Sequence, residues 1–263
     1  GRQLVFAQRS IDLEANSGTS ALYLRNLVTR DMAPPKRLTP EGWSVNSPSF
    51  SPDGATVYFL SAKNGSQQLY SIPLSGGTPR QLTAFATDVG TYHVSPDGSR
   101  VAFSADVFGD CGADFACTTK RLDERKASKV SGVVYEQLFV RHWDTWADGR
   151  RNRLFVAALP SAGGKPVAAA TAVSGALDGD VPGKPFGGAE DYAWAPDGRS
   201  LVASVKVAGR EEPWSTNFDL YRLDASGAAA PVNLTADNKA WDAGPVFSAD
   251  GATLFYRAMA RPG

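Results

Sequence analysis

The sequence predicts an all-β fold, a β-propeller of four-stranded antiparallel blades that is incomplete, with four full blades and part of a fifth out of a larger, seven-bladed ring. Three observations predict it. A tight-turn tetrapeptide recurs along the chain, a short β-branched and aromatic run follows each copy, and a Leu-Thr dipeptide closes most of the units.

The turn comes first because it sets the period. Ser51-Pro52-Asp53-Gly54 returns as Ser95-Pro96-Asp97-Gly98, as Ala195-Pro196-Asp197-Gly198 and, more weakly, as Ser248-Ala249-Asp250-Gly251. Proline sets φ near −65°, aspartate bonds to nearby backbone, and glycine takes positive φ, so each copy reads as a β-turn between strands. The runs Val57 to Ser61, Val101 to Ala105, Leu201 to Val205 and Leu254 to Arg257 then read as strands. A further strand is expected at Ala21 to Leu24, Gln68 to Ile72 and Asp219 to Leu223, and the blade ends at Arg37-Leu38-Thr39, Gln81-Leu82-Thr83 and Asn233-Leu234-Thr235. Units of this kind cannot bury both faces alone, so they stack radially.

The turn aspartates Asp53, Asp97, Asp197 and Asp250 are 44, 100 and 53 residues apart. The long interval reads as one blade interrupted by an insertion over residues 108–151, because Asn152 to Ala172 supplies two closing strands. The chain opens at Gly1 inside a blade and ends at Gly263 inside another, so further protein is expected on both sides.

Twenty-seven basic residues balance 27 acidic ones, which gives no field to favour nucleic acid. No apolar run approaches the roughly 20 residues of a membrane-spanning helix, and the N-terminus lacks a signal-peptide pattern. Neither nucleic acid nor membrane is expected as a partner. Motifs for a nucleophile elbow, a P-loop, a dinucleotide fold or a zinc protease are absent from the sequence. No catalytic residue and no cofactor is therefore expected in the segment, and His93 reads as structural.

Cys111 and Cys117 make a poor metal pair without a nearby histidine. They read as a disulfide closing a short loop, or else as two reduced, buried thiols, and the disulfide points to an oxidising compartment, periplasmic or secreted. Within the insertion, residues 118–130 are charged and helix-compatible. The stretch from Val133 to Trp146 concentrates aromatic and charged groups, and strand alternation places Glu136, Leu138, Val140, His142 and Asp144 on one face and Arg141 with Trp143 on the other. Packing with an Arg to Asp ion pair and a ligand-facing role both fit this stretch. A second interruption at residues 209–218 contains Glu211, Glu212 and Trp214; its paired carboxylates suit an ammonium, and an exposed polar loop is the other reading.

Together the Ser-Pro-Asp-Gly turns, the Leu-Thr ends, the cysteine-bracketed loop, Leu138 to Asp144 and Trp214-Ser215-Thr216-Asn217 resemble the N-terminal propeller of the prolyl oligopeptidase family of serine peptidases, above all its dipeptidyl-peptidase V and acylaminoacyl-peptidase branch. That resemblance implies a propeller that caps a separate α/β-hydrolase domain, admits short peptides and grips their free N-terminus. Val134-Tyr135-Glu136-Gln137 is similar to the Val-Tyr-Glu-Glu-Glu motif of the dipeptidyl-peptidase IV branch, with Gln137 in place of a glutamate. The resemblance thus implies amine binding by Glu136, alone or with Asp144 or the Glu211 and Glu212 pair. Arg141 is expected to meet a substrate carbonyl and Trp143 to wall a side chain. The turn repeats alone are shared with Tol-type periplasmic propellers, which gives a non-enzymatic protein-binding module as the alternative.

Overall fold

The computed structural model describes residues 1–28, 34–136, 138 and 140–263. They fall into two compact units, Gly1–Val89 with Leu159–Ala168, and Gly90–Ala158 with Ala169–Gly263.

In the first unit, β1 (Gln3–Asp12), β2 (Ser17–Asn26) and β3 (Lys36–Arg37) form a three-stranded antiparallel sheet, and β4 (Val45–Phe50), β5 (Thr56–Ser61), β6 (Gln68–Pro73) and β7 (Arg80–Gln81) form a four-stranded one. Leu22, Leu38, Val57, Phe59, Tyr70 and Ile72 make the core between them, and the Trp43 ring stands edge-on to Tyr70 at 5.2 Å.

In the second unit, β8 (Tyr92–Val94) and β9 (Arg100–Phe108) lead into α1 (Phe115–Ala127) and a two-stranded hairpin of β10 (Arg141–His142) and β11 (Thr145–Trp146). The chain returns to the same sheet through β12 (Arg150–Ala158) and β13 (Thr171–Ala172), giving the order β13-β12-β9-β8. Next come β14 (Tyr192–Trp194), β15 (Ser200–Val205), β16 (Asp219–Asp224) and β17 (Val232–Asn233) in one sheet, then β18 (Asp242–Phe247) paired with β19 (Leu254–Ala258). The two four-stranded sheets bury Leu154, Val156, Leu201, Ala203, Val205 and Leu223 against each other.

Among the described residues, three sheets therefore have four strands, the first has three and the last has two, against the expected four full blades. Residues 109–149 lie between the second and third strands of the third sheet.

Local chemistry explains the repeat. In three of the turns the serine hydroxyl donates to the aspartate, Ser51 to Asp53 at 2.5 Å, Ser95 to Asp97 at 2.5 Å and Ser248 to Asp250 at 2.6 Å, and accepts the N–H of the strand that follows. The Ser95 and Ser99 hydroxyls hold the Asp97 carboxyl down at about 2, so it stays ionised. Gly54, Gly98, Gly198 and Gly251 all sit near φ +70°, which only glycine adopts cheaply.

The Leu-Thr ends have an equally local cause. Thr39, Thr83 and Thr235 accept, through their hydroxyls, the N–H of Leu22, Leu69 and Leu220 at 3.0, 2.9 and 3.0 Å, and Ser174 does the same for Leu154 at 2.8 Å. Each bond satisfies a buried strand amide that the short outer strand leaves over. Thr83→Val keeps the shape and removes that acceptor, so a loss of about 1.5 kcal/mol is expected in urea unfolding. A change below 0.5 kcal/mol would show that the hydroxyl is incidental.

Helix α1 starts earlier than the sequence suggests, because Asp114 caps it by accepting the Cys117 N–H at 3.0 Å. Cys111 and Cys117 form a disulfide, so the cysteine-bracketed loop is the entry to this helix. Phe115 packs on Phe155 at 5.0 Å, and the Arg121 and Arg125 guanidinium groups each stack 4.6 Å from the Phe108 ring. The helix is thereby fixed to the sheet that carries the insertion.

Candidate functional site

The connections between second and third strands in the third and fourth sheets hold the substrate-binding candidates singled out from sequence, and the connection from β13 to β14 adds to them. In antiparallel sheets of this order these connections leave at the same end.

Beyond α1 the insertion departs from a long alternating strand. Among the described residues of this stretch, only Arg141 and His142 pair, with Trp146 and Thr145, and Trp143 turns the chain at φ +49°. That left-handed residue breaks the period of two, so the predicted split of Glu136, Leu138, Val140, His142 and Asp144 from Arg141 and Trp143 does not hold. Instead the side chains sort by ring contact. Arg141 lies 5.2 Å over the Trp146 ring, whose other neighbour is Tyr135 at 6.0 Å, stacked. His142 and Trp143 gather around Phe186 at 6.0 and 5.1 Å. Trp143, Trp146, Phe186 and, on the 209–218 loop, Trp214 are all exposed. Glu136 and Asp144 are exposed beside them; Gln137 and Phe139 lie outside the described residues.

The paired carboxylates are divided by the structure. Glu212 meets the Arg151 guanidinium at 3.3 Å, and its backbone carbonyl accepts the Lys206 ammonium at 2.6 Å. Arg151 also holds Asp180 at 3.0 Å and Asp178 at 3.6 Å. Although burial works against its charge, Asp180 and Glu212 keep Arg151 above the ordinary guanidinium range. Alongside, Lys184 bonds Asp106 at 2.5 Å and Arg150 bonds Asp148 at 2.6 Å. Glu212 is thus committed to a structural network, whereas Glu211 stays exposed and lines a cavity of about 500 Å³ with Trp214, Asn217 and Lys239. Among the described residues, no ion pair engages Glu136, Asp144 or Glu211.

A larger cavity of about 990 Å³ opens along the first strands β8, β14 and β18, lined by His93, Glu190, Tyr192, Trp194, Phe255 and Arg257. His93 is fixed there by the Ala189 carbonyl at 2.6 Å from Nε2 and by the Tyr192 ring at 4.9 Å, and burial lowers its pKa. These contacts hold the ring in the cavity wall.

Sequence reasoning passed over the β13 to β14 connection, which contributes Asp178, Asp180, Lys184 and Phe186. The alternation of Asp, Lys, Gly and Pro over residues 178–186 was the available signal, since long ordered connections often carry function.

The profile of the dipeptidyl peptidase IV (DPP IV) N-terminal region matches residues 6–106. A dipeptidyl-peptidase 5 from Porphyromonas endodontalis is 30% identical over 100% of this chain and 36% of its own length. The chain thus spans about a third of the curated relatives it matches. Among solved structures, the acylaminoacyl peptidase of Pyrococcus horikoshii superposes with a TM-score of 0.61 at 13% identity, over 99% of this chain and 34% of its own. A putative TolB from Agrobacterium tumefaciens does so with 0.51 at 17% identity, over 98% of this chain and 70% of its own. The last two likenesses concern the fold alone.

Proposed function

Since the chain is an N-terminal propeller of the prolyl oligopeptidase-family peptidases, we propose that it is the substrate-positioning part of a periplasmic or secreted serine exopeptidase that releases dipeptides from peptide N-termini. The observation that carries the proposal is the likeness to a dipeptidyl-peptidase 5 along the whole chain, because the TolB likeness extends to fold only. The disulfide supports an oxidising compartment. No helix among the described residues is long and apolar enough to cross a membrane.

In this reading the bond-breaking groups belong to an α/β-hydrolase domain, the partner of the propeller, and the propeller supplies orientation. A carboxylate that holds the substrate ammonium fixes the scissile carbonyl relative to the nucleophile, which removes translational and rotational freedom before the reaction. Glu136 and Glu211 are the carboxylates for this role, with Asp144 a third on the same insertion as Glu136. Arg141, its guanidinium steadied by Trp146, faces a substrate carbonyl, and Trp143 with His142 and Phe186 walls a side chain. Trp214 stands beside Glu211 as a second aromatic surface.

The 263-residue chain alone is expected to give no turnover of dipeptidyl chromogenic substrates, while the complete protein cleaves them. Turnover by the isolated chain would overturn this division of labour. A complete protein that lacks a downstream G-x-S-x-G would return the reading to a Tol-type binding module.

A further inference from the structure

At the junction of the fourth and fifth sheets, Phe218 and Trp241 form an isolated parallel bridge. The Phe218 N–H donates to the Ala240 carbonyl at 3.3 Å, and the Asp242 N–H to the Phe218 carbonyl at 2.9 Å. Side chains alternate across such a pairing, so Asp219 lies beside Asp242 on one face, and Asn217 ends the connection two residues before Asp219. Asp242 is 0% exposed; its Oδ1 accepts from Asn238 Nδ2 at 2.7 Å and its Oδ2 has no donor. Asp219 Oδ2 accepts from Asn233 Nδ2 at 2.8 Å, and its Oδ1 is buried without a donor, as is Asn217 Oδ1.

The repeat makes this cluster unusual. At the residue before the leucine whose N–H the Thr or Ser hydroxyl accepts, the second sheet has Gln68, whose Nε2 donates to the Phe85 and Thr87 carbonyls at 3.1 and 3.0 Å. The third sheet has Arg153, whose Nη1 donates to the Leu177 and Gly179 carbonyls. Both positions supply positive hydrogens to carbonyl oxygens of the following connection, and the Gln68 Oε1 in turn accepts from the Thr83 hydroxyl and the Phe85 N–H at 2.8 and 3.1 Å. In the fourth sheet the equivalent residue is Asp219, a carboxylate with no hydrogen to donate where Gln68 and Arg153 each donate two hydrogen bonds. Burial first, with Asp242 adding to it, pushes the Asp219 carboxyl up, against the Asn233 bond and the Lys239 charge. The Lys239 ammonium itself donates to the Ala236 carbonyl at 2.5 Å.

We propose that Asp219, Asp242 and Asn217 form a binding site for calcium that locks the fourth sheet to the fifth. The sequence alone gave no expectation of a metal. All the donors are oxygens, two of them from carboxylates, and nearby backbone carbonyls can complete the six to eight ligands that calcium takes in flexible geometry. Magnesium demands a smaller octahedron, and zinc prefers nitrogen or sulfur. A divalent cation also offsets the negative charge at Asp219 Oδ1 and Asp242 Oδ2, two buried carboxylate oxygens with no hydrogen-bond donor among the described residues.

Chelator-stripped full-length chain, titrated with calcium chloride, should take up one ion per chain, and its melting temperature should rise with the logarithm of calcium concentration. Terbium should bind the same site and emit through Trp241, with calcium displacing it. Asp242→Asn and Asp219→Asn should each abolish both responses, and Asn217→Ala should weaken calcium binding about tenfold. Either carboxylate variant relieves charge repulsion in the metal-free chain, so folding should survive. Trp241→Phe should keep calcium uptake and lose the sensitised emission. No uptake at millimolar calcium, or unchanged responses in both carboxylate variants, would overturn the site. So would stabilisation by acid with no calcium effect, which would assign the pair a shared proton.

Discussion

Replacing Arg151 with methionine is expected to lower the unfolding free energy by about 3 kcal/mol, the largest stability effect of any single change on the loop-bearing face. Methionine preserves the apolar stem, so the loss reports the charge. What remains is Asp180, with a side chain only 10% exposed, and Glu212, both facing an emptied position. Removing one partner of a buried pair typically costs 3–5 kcal/mol, and the 29% exposure of the Arg151 side chain together with the Lys184 ammonium 3.7 Å from Asp180 places the estimate at the low end. Asp178→Asn is the matched control: at 3.6 Å and 72% exposed, that pair should contribute under about 0.5 kcal/mol. Urea midpoints for the two variants measure the difference. The two should also differ in the 209–218 loop, where losing Arg151 frees Glu212 and should increase the mobility of Trp214 fluorescence. Equal stability of Arg151→Met and wild type would mean that the network is no more than surface decoration.

The same network explains which parts of the molecule could be read from sequence. The Ser95 hydroxyl, the Asp97 carboxylate and Gly98 satisfy one another within four residues, so a tetrapeptide fixes its own turn and the sheet order follows from its repetition. The Leu-Thr ends are legible for a related reason, although the bond from Leu69 to Thr83 spans a whole strand pair. Function-bearing geometry is different in kind. Glu212 looks like half of an ammonium clamp until Arg151, remote in sequence, is seen to occupy it. Phe186 acquires meaning only through Trp143 and His142. Trp143 itself misled the alternation because a single residue at φ +49° reverses the hairpin, and nothing in a period-two pattern announces such a residue at a tryptophan. Local self-consistency is encoded locally, whereas a site assembled from three connections depends on how sheets bring those connections together.

In the complete protein, Glu136→Gln is expected to raise KM for free-amine dipeptidyl substrates by 10- to 100-fold, roughly the 1.5–3 kcal/mol of one charge-assisted hydrogen bond. Glutamine keeps the size and one acceptor, so the change isolates the negative charge. An N-acetylated analogue carries no ammonium, and its KM should be the same in both proteins. The substrate α-amine titrates near 7.7–8.0, so wild-type affinity should fall as pH rises through that range while the variant stays nearly flat. Glu211→Gln should give a smaller rise of the same kind if the two carboxylates share the amine. Glu212→Gln should leave KM unchanged and lower stability instead, because its charge is already committed to Arg151. The three glutamines thus separate grip from scaffold on one face of the molecule. Unchanged KM in both Glu136→Gln and Glu211→Gln would remove the amine-binding role from these loops and leave the propeller a gate that selects peptides by size.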